Sequence, residues 1–231
     1  MTHPAIVLAR GGHPAPPDDC GNPERCLFEW YNWLTRQKHT NSRPPGVSPV
    51  LHAFGMSLND ALPDDRRQEL KRFLPNGTDR LAGTEHDGLD ETRGYIALDW
   101  LIRTYTPAWL DLAGLTAEAG ALRDLRRIAD LVAAQSAGPV VRNASSKAAA
   151  AGDGAWDASW ATAWATAWAA AWAAAGDAAG AAAWDAAWDA AGAAAGAAVR
   201  AAARDALAPT VAGLQASAID LYDTLITGGQ S

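Results

Sequence analysis

Apolar residues recur every three or four positions through most of residues 22–136, and this spacing places them on one face of an α-helix. No stretch shows a sustained alternation of apolar and polar residues, so no strand is predicted. The pattern indicates an all-α fold, with a globular domain of five or six helices that is long enough to bury a core. Four faces carry this prediction: Leu27, Trp30 or Tyr31, and Leu34; Leu51, Phe54, Leu58 and Leu62; Tyr95, Leu98, Ile102 and Tyr105; Leu122, Leu125, Ala129 and Val132.

Helix starts are indicated where a capping residue precedes a proline. The capping side chain accepts a hydrogen bond from a first-turn N–H, and proline has no N–H to leave unpaired. A fourth start is indicated where two acids follow a proline, because acids favour the positive end of the helix dipole. Gly114 is the predicted end of the helix that starts at Thr106-Pro107. The four starts are Asn22-Pro23, Ser48-Pro49, Thr106-Pro107 and Leu62-Pro63-Asp64-Asp65.

Three segments differ from the globular domain. Residues 1–21 are rich in Pro, Gly and Asp and are predicted to form a flexible tail. Residues 137–147 contain Gly138-Pro139 followed by small and polar residues, and are predicted to form a linker. Residues 209–228 are predicted to form a terminal packing helix, because their apolar spacing alternates between three and four. This seam consists of Val211, Leu214, Ala218, Leu221 and Leu225.

Residues 148–208 form a low-complexity repeat in which 35 of the 61 residues are alanine. Every fourth position holds Gly, Trp or Arg, and the next position is Asp in six of these tetrads. Alanine is the best helix former, so we predict a long helical arm. The side chains expected to contact a partner are Trp156, Trp160, Trp164, Trp168, Trp172, Trp184 and Trp188.

The repeat leaves two questions open. Four residues turn a helix by about 400°, so the Trp stripe drifts by about 40° per tetrad. The arm is therefore predicted either as one continuous helix or as a hairpin folded near Gly176–Gly180. In addition, Trp, Gly and Arg codons differ by one base. The repeat is thus either selected for its indoles or a tolerated codon expansion that forms a spacer.

The net charge and the hydrophobicity of the chain restrict the classes of partner that it is expected to bind. The formal net charge of −7 disfavours a phosphate backbone, so no nucleic acid is expected. Residues 158–176 are uncharged and long enough to span a bilayer, but Ala, Thr and Gly make them too weakly apolar for a predicted membrane span. Weak membrane-surface association through the indoles is left open. The first ten residues lack a signal-peptide pattern, which predicts a cytoplasmic protein.

Candidate chemistry is sparse. The loop Asn76–Glu91 gathers five carboxylates and one histidine, a set that suits a divalent cation. It matches no known metal spacing, so a solvated acidic loop is the favoured interpretation. Cys20, Cys26 and His39 form only a weak zinc pattern, and the cysteines are expected to be free thiols. We expect no metal and no cofactor. The loop groups are Asp79, Glu85, His86, Asp87, Asp90 and Glu91.

Single polar residues among apolar ones receive structural interpretations. His52 lies close to the Leu51–Phe54 face and is interpreted as a histidine at the edge of the core. Glu29 and Asp99, each beside a tryptophan, are interpreted as charges on helix surfaces.

Five motifs stand out along the chain: Cys26-Leu27-Phe28-Glu29, Ser48-Pro49-Val50-Leu51, Asn59-Asp60-Ala61-Leu62-Pro63-Asp64-Asp65-Arg66, Asp99-Trp100-Leu101-Ile102-Arg103 and Thr106-Pro107-Ala108-Trp109-Leu110. Together with the Ala/Trp/Asp-rich repeat that follows, they resemble an uncharacterised family of actinobacterial and phage proteins. The resemblance covers most of residues 26–225 and implies no activity. It singles out Asp60, Asp99 and Arg103 as a candidate polar site, and a structural ion pair between helices is the favoured role for these three.

Two functions follow as hypotheses. The first is a non-enzymatic interaction or scaffold protein that binds a protein partner or itself through the repeat arm, because no catalytic constellation is evident. The alternative is a metal-dependent hydrolase or other small enzyme that uses the acidic loop 79–91 or Asp60 and Asp99. Catalytic residues are not identified by the sequence.

Overall fold

The computed structural model describes residues 6–13, 24–151, 192 and 204–229. Helices make up most of this part of the chain, which confirms the all-α class. The seven repeat tryptophans lie outside the described residues, so the continuous helix and the hairpin both stay predictions.

The α-helices follow one another with short connections. Tight 3-10 turns span Gln68–Phe73 and Thr84–His86, and a π-helical turn, Leu101–Tyr105, joins α4 to α5. The helices in chain order are α1 (Leu27–Leu34), α2 (Pro49–Ala61), α3 (Asp64–Arg67), α4 (Asp90–Trp100), α5 (Thr106–Leu112), α6 (Thr116–Arg123), α7 (Leu131–Ala151) and α8 (Arg204–Thr227).

The predicted helix starts have different outcomes. Ser48 caps α2 as predicted, because its Oγ accepts from the backbone N–H groups of Val50 and Leu51. An α-helix begins at Thr106-Pro107 as predicted, but the π turn joins it to α4 without a break, and Thr106 Oγ1 donates to Leu101 O at 2.8 Å instead of capping the helix. The first helix begins at Leu27 rather than near Asn22-Pro23, with Cys26 at its N-cap.

Two predictions for the N-terminal part are wrong for residues 6–13. Val7–Leu8 (β1) pairs in parallel with Glu24–Arg25 (β2), so a short sheet exists where no strand was predicted. Leu8 is buried, and the segment packs against the domain instead of forming a flexible tail. The apolar pattern misses this because most of the hydrogen bonds that hold residues 6–13 go to their backbone groups, which every residue type carries.

The predicted linker 137–147 is part of the long helix α7. Ala137, Val141 and Ala144 form a buried face at helical spacing, and this packing favours helix. Pro139 is exposed, so the hydrogen bond that it fails to donate is lost on the solvent side. Tertiary burial therefore overrides a local helix-breaking signal.

The C-terminal helix is part of the globular domain rather than a separate unit. One apolar cluster is built mainly by α4 to α7 and the π turn, and it includes Leu214 of α8. A second cluster is built mainly by α1, α2 and the Gln68–Phe73 turn, and it includes Tyr222 and Leu225 of α8. The side chain of Trp100 packs against both clusters. A domain ending at residue 136 would therefore lack a core element.

Candidate functional site

The candidate polar residues Asp60, Asp99 and Arg103 do not form one site. Asp60, near the end of α2, accepts from Gly11 N at 2.8 Å and from Asn59 Nδ2 at 3.0 Å. Asp99 and Arg103 form an ion pair at 3.3 Å within one helical run, four residues apart. The predicted ion pair between helices is therefore a pair along a single helix.

Asp99 also fixes the connection that follows α6. Its Oδ1 accepts from the backbone N of Ile128 at 2.8 Å, and Arg103 Nη2 donates to Arg123 O at 3.4 Å. The pair thus satisfies backbone groups where α6 ends and the chain turns toward α7. These contacts give Asp99 and Arg103 a structural role.

The acidic loop is held by partners of opposite charge and by backbone donors. Asp79 accepts from the hydroxyl of Tyr31 at 2.7 Å, and Glu85 pairs with Arg43 at 2.7 Å. The Arg43 guanidinium, followed by the N–H of Gly46, lowers the pKa of Glu85. Among the residues that the structure describes, no group of three or more His, Cys, Asp or Glu side chains is arranged to hold a metal ion.

Arg93, in the first turn of α4, binds the end of this loop, and the sequence did not single it out. The side chain is fully buried and pairs with Asp87 at 2.5 Å and Asp90 at 2.9 Å. Its Nε donates to Leu225 O of α8 at 2.9 Å, and its Nη1 donates to Thr84 O at 3.3 Å. Burial opposes ionisation of Asp87, but the bonds from Arg93 outweigh it and lower the pKa of that carboxyl. The only sequence signal was the three-residue spacing of Asp90 and Arg93.

Two residues of the weak zinc pattern, Cys26 and His39, lie in the part of the chain that the structure describes, and each contacts other protein groups. Cys26 is buried at the N-cap of α1, where burial raises its pKa to about 12 and keeps the thiol protonated at neutral pH. His39 Nε2 lies 3.2 Å from the carbonyl oxygen of His13. Cys20 lies outside the described residues.

His52 lies at the edge of the core, as predicted. Its ring centroid is 4.5 Å from that of Phe28, and its Nε2 lies 2.9 Å from Asn41 O. Burial lowers the pKa of His52 below its ordinary value, so the ring is neutral at pH 7.

The interpretation of Glu29 as a surface charge is wrong. Glu29 is 1% exposed, and its carboxylate accepts from His13 N at 2.6 Å, His13 Nδ1 at 2.8 Å and Cys26 N at 2.8 Å. Burial alone would raise the pKa of Glu29, but the bonds from His13 and Cys26 outweigh it and lower the pKa. The Cys26-x-x-Glu29 spacing of a capping box was the available signal, although Cys is an unusual N-cap residue.

Glu29 and Asp60 belong to a groove that holds residues 6–13. We define this N-terminal groove by Glu29, Trp30, Asn59, Asp60 and Gln68. All five of its side chains bind backbone groups: Trp30 Nε1 donates to Val7 O, Gln68 bonds Leu8 N and Leu8 O, Asn59 Nδ2 donates to Ala9 O, Asp60 accepts from Gly11 N, and Glu29 accepts from His13 N.

The segment that contains the repeat tryptophans lies in the chain between two helices of the domain. Helix α7 ends at Ala151, the next long described element begins at Arg204, and residues 152–203 lie between them. Within the described residues, no helix is both long enough and apolar enough to cross a membrane.

No family model, curated protein or solved structure matches the chain. The resemblance to an actinobacterial and phage family therefore stays a prediction.

Proposed function

We propose that the protein is a non-enzymatic interaction or scaffold protein that presents the Trp repeat from a helical domain. The observation that supports this is the attachment of both flanking helices to the same core. Ala148, near the end of α7, is buried in the first apolar cluster, and Leu207 and Leu214 of α8 pack in that cluster. The domain thus fixes the chain on both sides of residues 152–203.

The composition of this segment suits protein contacts. Residues 152–203 contain seven Trp, five Asp and one Arg. Tryptophan is enriched among the residues that dominate binding energies, because one side chain buries a large apolar area. Indoles repeated every four residues supply several such anchors to one partner or to a second copy of the chain.

Anchoring at both ends restricts the volume that the segment explores before it binds a partner. Closing a loop of 52 residues costs conformational entropy that grows only slowly with length, and the packing of α7 and α8 in the core offsets this cost on folding. A tail attached at one end would explore a larger volume and lose more entropy on binding. The domain therefore acts as a base for the repeat.

The test compares the full chain with two variants. The first replaces residues 152–203 by a short Gly/Ser connection, and the second replaces the seven repeat tryptophans by alanine. Both retain Ala148 and Leu207, which belong to the core. Sedimentation velocity measures self-association, and affinity capture followed by rebinding of the purified partner measures hetero-association.

We expect both variants to lose the association of the full chain while keeping its near-UV circular dichroism from the domain. Association that persists in both variants would contradict the proposal. Binding to lipid vesicles but not to protein would replace it by membrane-surface association. A stoichiometric metal in the purified protein would favour the hydrolase alternative, which no contact among the described residues supports.

A further inference from the structure

The N-terminal groove binds residues 6–13 chiefly through their backbone. The side-chain amide of Gln68 accepts from Leu8 N at 3.0 Å and donates to Leu8 O at 2.9 Å, as a neighbouring strand would. Such bonds select an extended conformation and are indifferent to most side chains. This is the way in which grooves recognise extended peptides that add to a sheet edge.

Two side chains of the segment give the groove its selectivity. Leu8 is 2% exposed and inserts into the second apolar cluster. His13 is bound at the other end, where its ring Nδ1 and its backbone N both contact the buried carboxylate of Glu29. The groove therefore fits an extended peptide with a leucine and, five positions later, a histidine.

Exchange of the segment breaks no helix of the chain. Residues 6–13 contain only β1, whose parallel pairing with β2 can form again with the β2 of another copy. Parallel strands need a connection longer than a hairpin turn, and ten residues of sequence separate His13 from Glu24.

We propose that the N-terminal groove is a peptide-binding site that accepts residues 6–13 of a second copy of the chain. The occupant follows from the contacts, because an identical segment forms every bond that the chain's own segment forms. Exchange of this kind is a low-cost route to a dimer, since it replaces intramolecular contacts by the same contacts between copies. This inference is independent of the Trp repeat.

The first test uses the full-length Leu8→Asp variant, whose own segment is a poor ligand. A fluorescent peptide of residues 1–13 is titrated into this variant and followed by anisotropy. We expect saturable binding, and a peptide with the same Leu8→Asp change should bind about tenfold more weakly or worse, because it loses the buried leucine. Adding Gln68→Ala to the protein should weaken the natural peptide as well.

A second measurement covers the case in which Leu8→Asp fails to fold. A specific protease site is inserted within residues 14–23 of the natural chain, which is then cut and mixed with the labelled peptide. Exchange into the cut, folded protein supports the proposal. It is overturned if the peptide does not exchange, or if losing the segment unfolds the domain, since the segment would then be a fixed part of the core.

The dimer is tested on the natural chain. Concentrated samples should contain a dimer by sedimentation, and its fraction should fall when Leu8→Asp is introduced into a folded chain. A dimer that Leu8→Asp leaves unchanged, or its absence despite peptide binding in trans, would overturn the second copy as the occupant. Loss of the dimer in the variant without residues 152–203 would assign it to the repeat instead.

Discussion

Gly55 of α2 lies directly against the side chains of Tyr222 in α8 and Phe28 in α1. A Cβ atom at this position would lie 2.7 Å from Tyr222 Oη and 2.9 Å from Phe28 Cε2. Both neighbours are large, fully buried rings, so they give way only by displacing other core side chains. We therefore expect Gly55→Ala to lower the free energy of unfolding by about 1–3 kcal/mol, as overpacking does, measured by urea denaturation.

Gly120 provides the control. It lies within α6, and, apart from its chain neighbours and the backbone of α6 itself, no atom lies within 4 Å of the position of its Cβ. Gly120→Ala should raise the free energy of unfolding by up to about 1 kcal/mol, because alanine favours helix over glycine. Equal losses in the two variants would show that close packing at Gly55 is not the cause.

The hydroxyl of Tyr222 is buried and has no hydrogen-bond partner among the described residues. A buried donor without a partner costs about 1–3 kcal/mol, so Tyr222→Phe should raise the free energy of unfolding by roughly 1 kcal/mol. Tyr31→Phe is the matched change, because it removes a bond of 2.7 Å to Asp79. It should lower the free energy of unfolding by roughly 1–2 kcal/mol. Urea melts in which Tyr222→Phe is the less stable variant would contradict this assignment.

At the scale of elements, two arginines join the loop 76–91 and the start of α4 to α8. Arg93 is fully buried, and its partners Asp87 and Asp90 are 27% and 36% exposed, whereas Arg80 pairs with Asp223 on the surface at 2.7 Å. Removing Arg93 leaves both carboxylates without their ion pair and the carbonyl groups of Thr84 and Leu225 without this donor, so Arg93→Met should cost about 2–4 kcal/mol in thermal or urea unfolding. Arg80→Met should cost less than about 1 kcal/mol.

The ion pair between Arg93 and Asp87 predicts that the stability of the domain depends on pH. The folded-state pKa of Asp87 is lowered from its ordinary value of 3.8, so its contribution to stability is present above that value and is lost as the pH falls below it. Stability measured between pH 6 and about pH 2 should therefore drop less in Arg93→Met than in the natural chain. The lowered pKa of Glu29 adds to the acid loss in both proteins. An identical loss in the two would exclude Arg93 as the source.

For the whole molecule, the described domain is completed by α8 and not by the repeat. The helix contributes six large buried apolar side chains, which together are worth on the order of 10 kcal/mol. This is comparable to the total stability of a typical domain. The six are Leu214, Ile219, Leu221, Tyr222, Leu225 and Ile226.

Two deletions distinguish the contribution of α8 to the stability of the domain from that of the repeat. Replacing residues 152–203 by a Gly/Ser connection should leave cooperative urea unfolding with a similar midpoint, because the buried residues of α7 and α8 remain. Ending the chain at residue 203 should abolish cooperative unfolding and near-UV circular dichroism. If the shorter chain folds and the chain with the internal deletion does not, the repeat belongs to the core and the domain assignment is wrong.

The sequence by itself determined the helical class and several helix faces and ends. Apolar residues recur at helical spacing within α1, α2 and α4, so the residues that these helices bury can be predicted from the spacing alone. The cap at Ser48 and the stop at Gly114, whose φ is +77°, are equally local. Local signals of this kind need no knowledge of the partner.

Only the tertiary structure decided the features whose partners are distant in the chain. Glu29 is buried because His13, sixteen residues away, bonds its carboxylate, and Arg93 bonds a carbonyl group 132 residues away. Residues 137–147 are helical because the buried face of Ala137, Val141 and Ala144 stabilises the helix through Pro139. A buried charge or an interior proline costs free energy that only such contacts offset, and the one-dimensional pattern does not contain them.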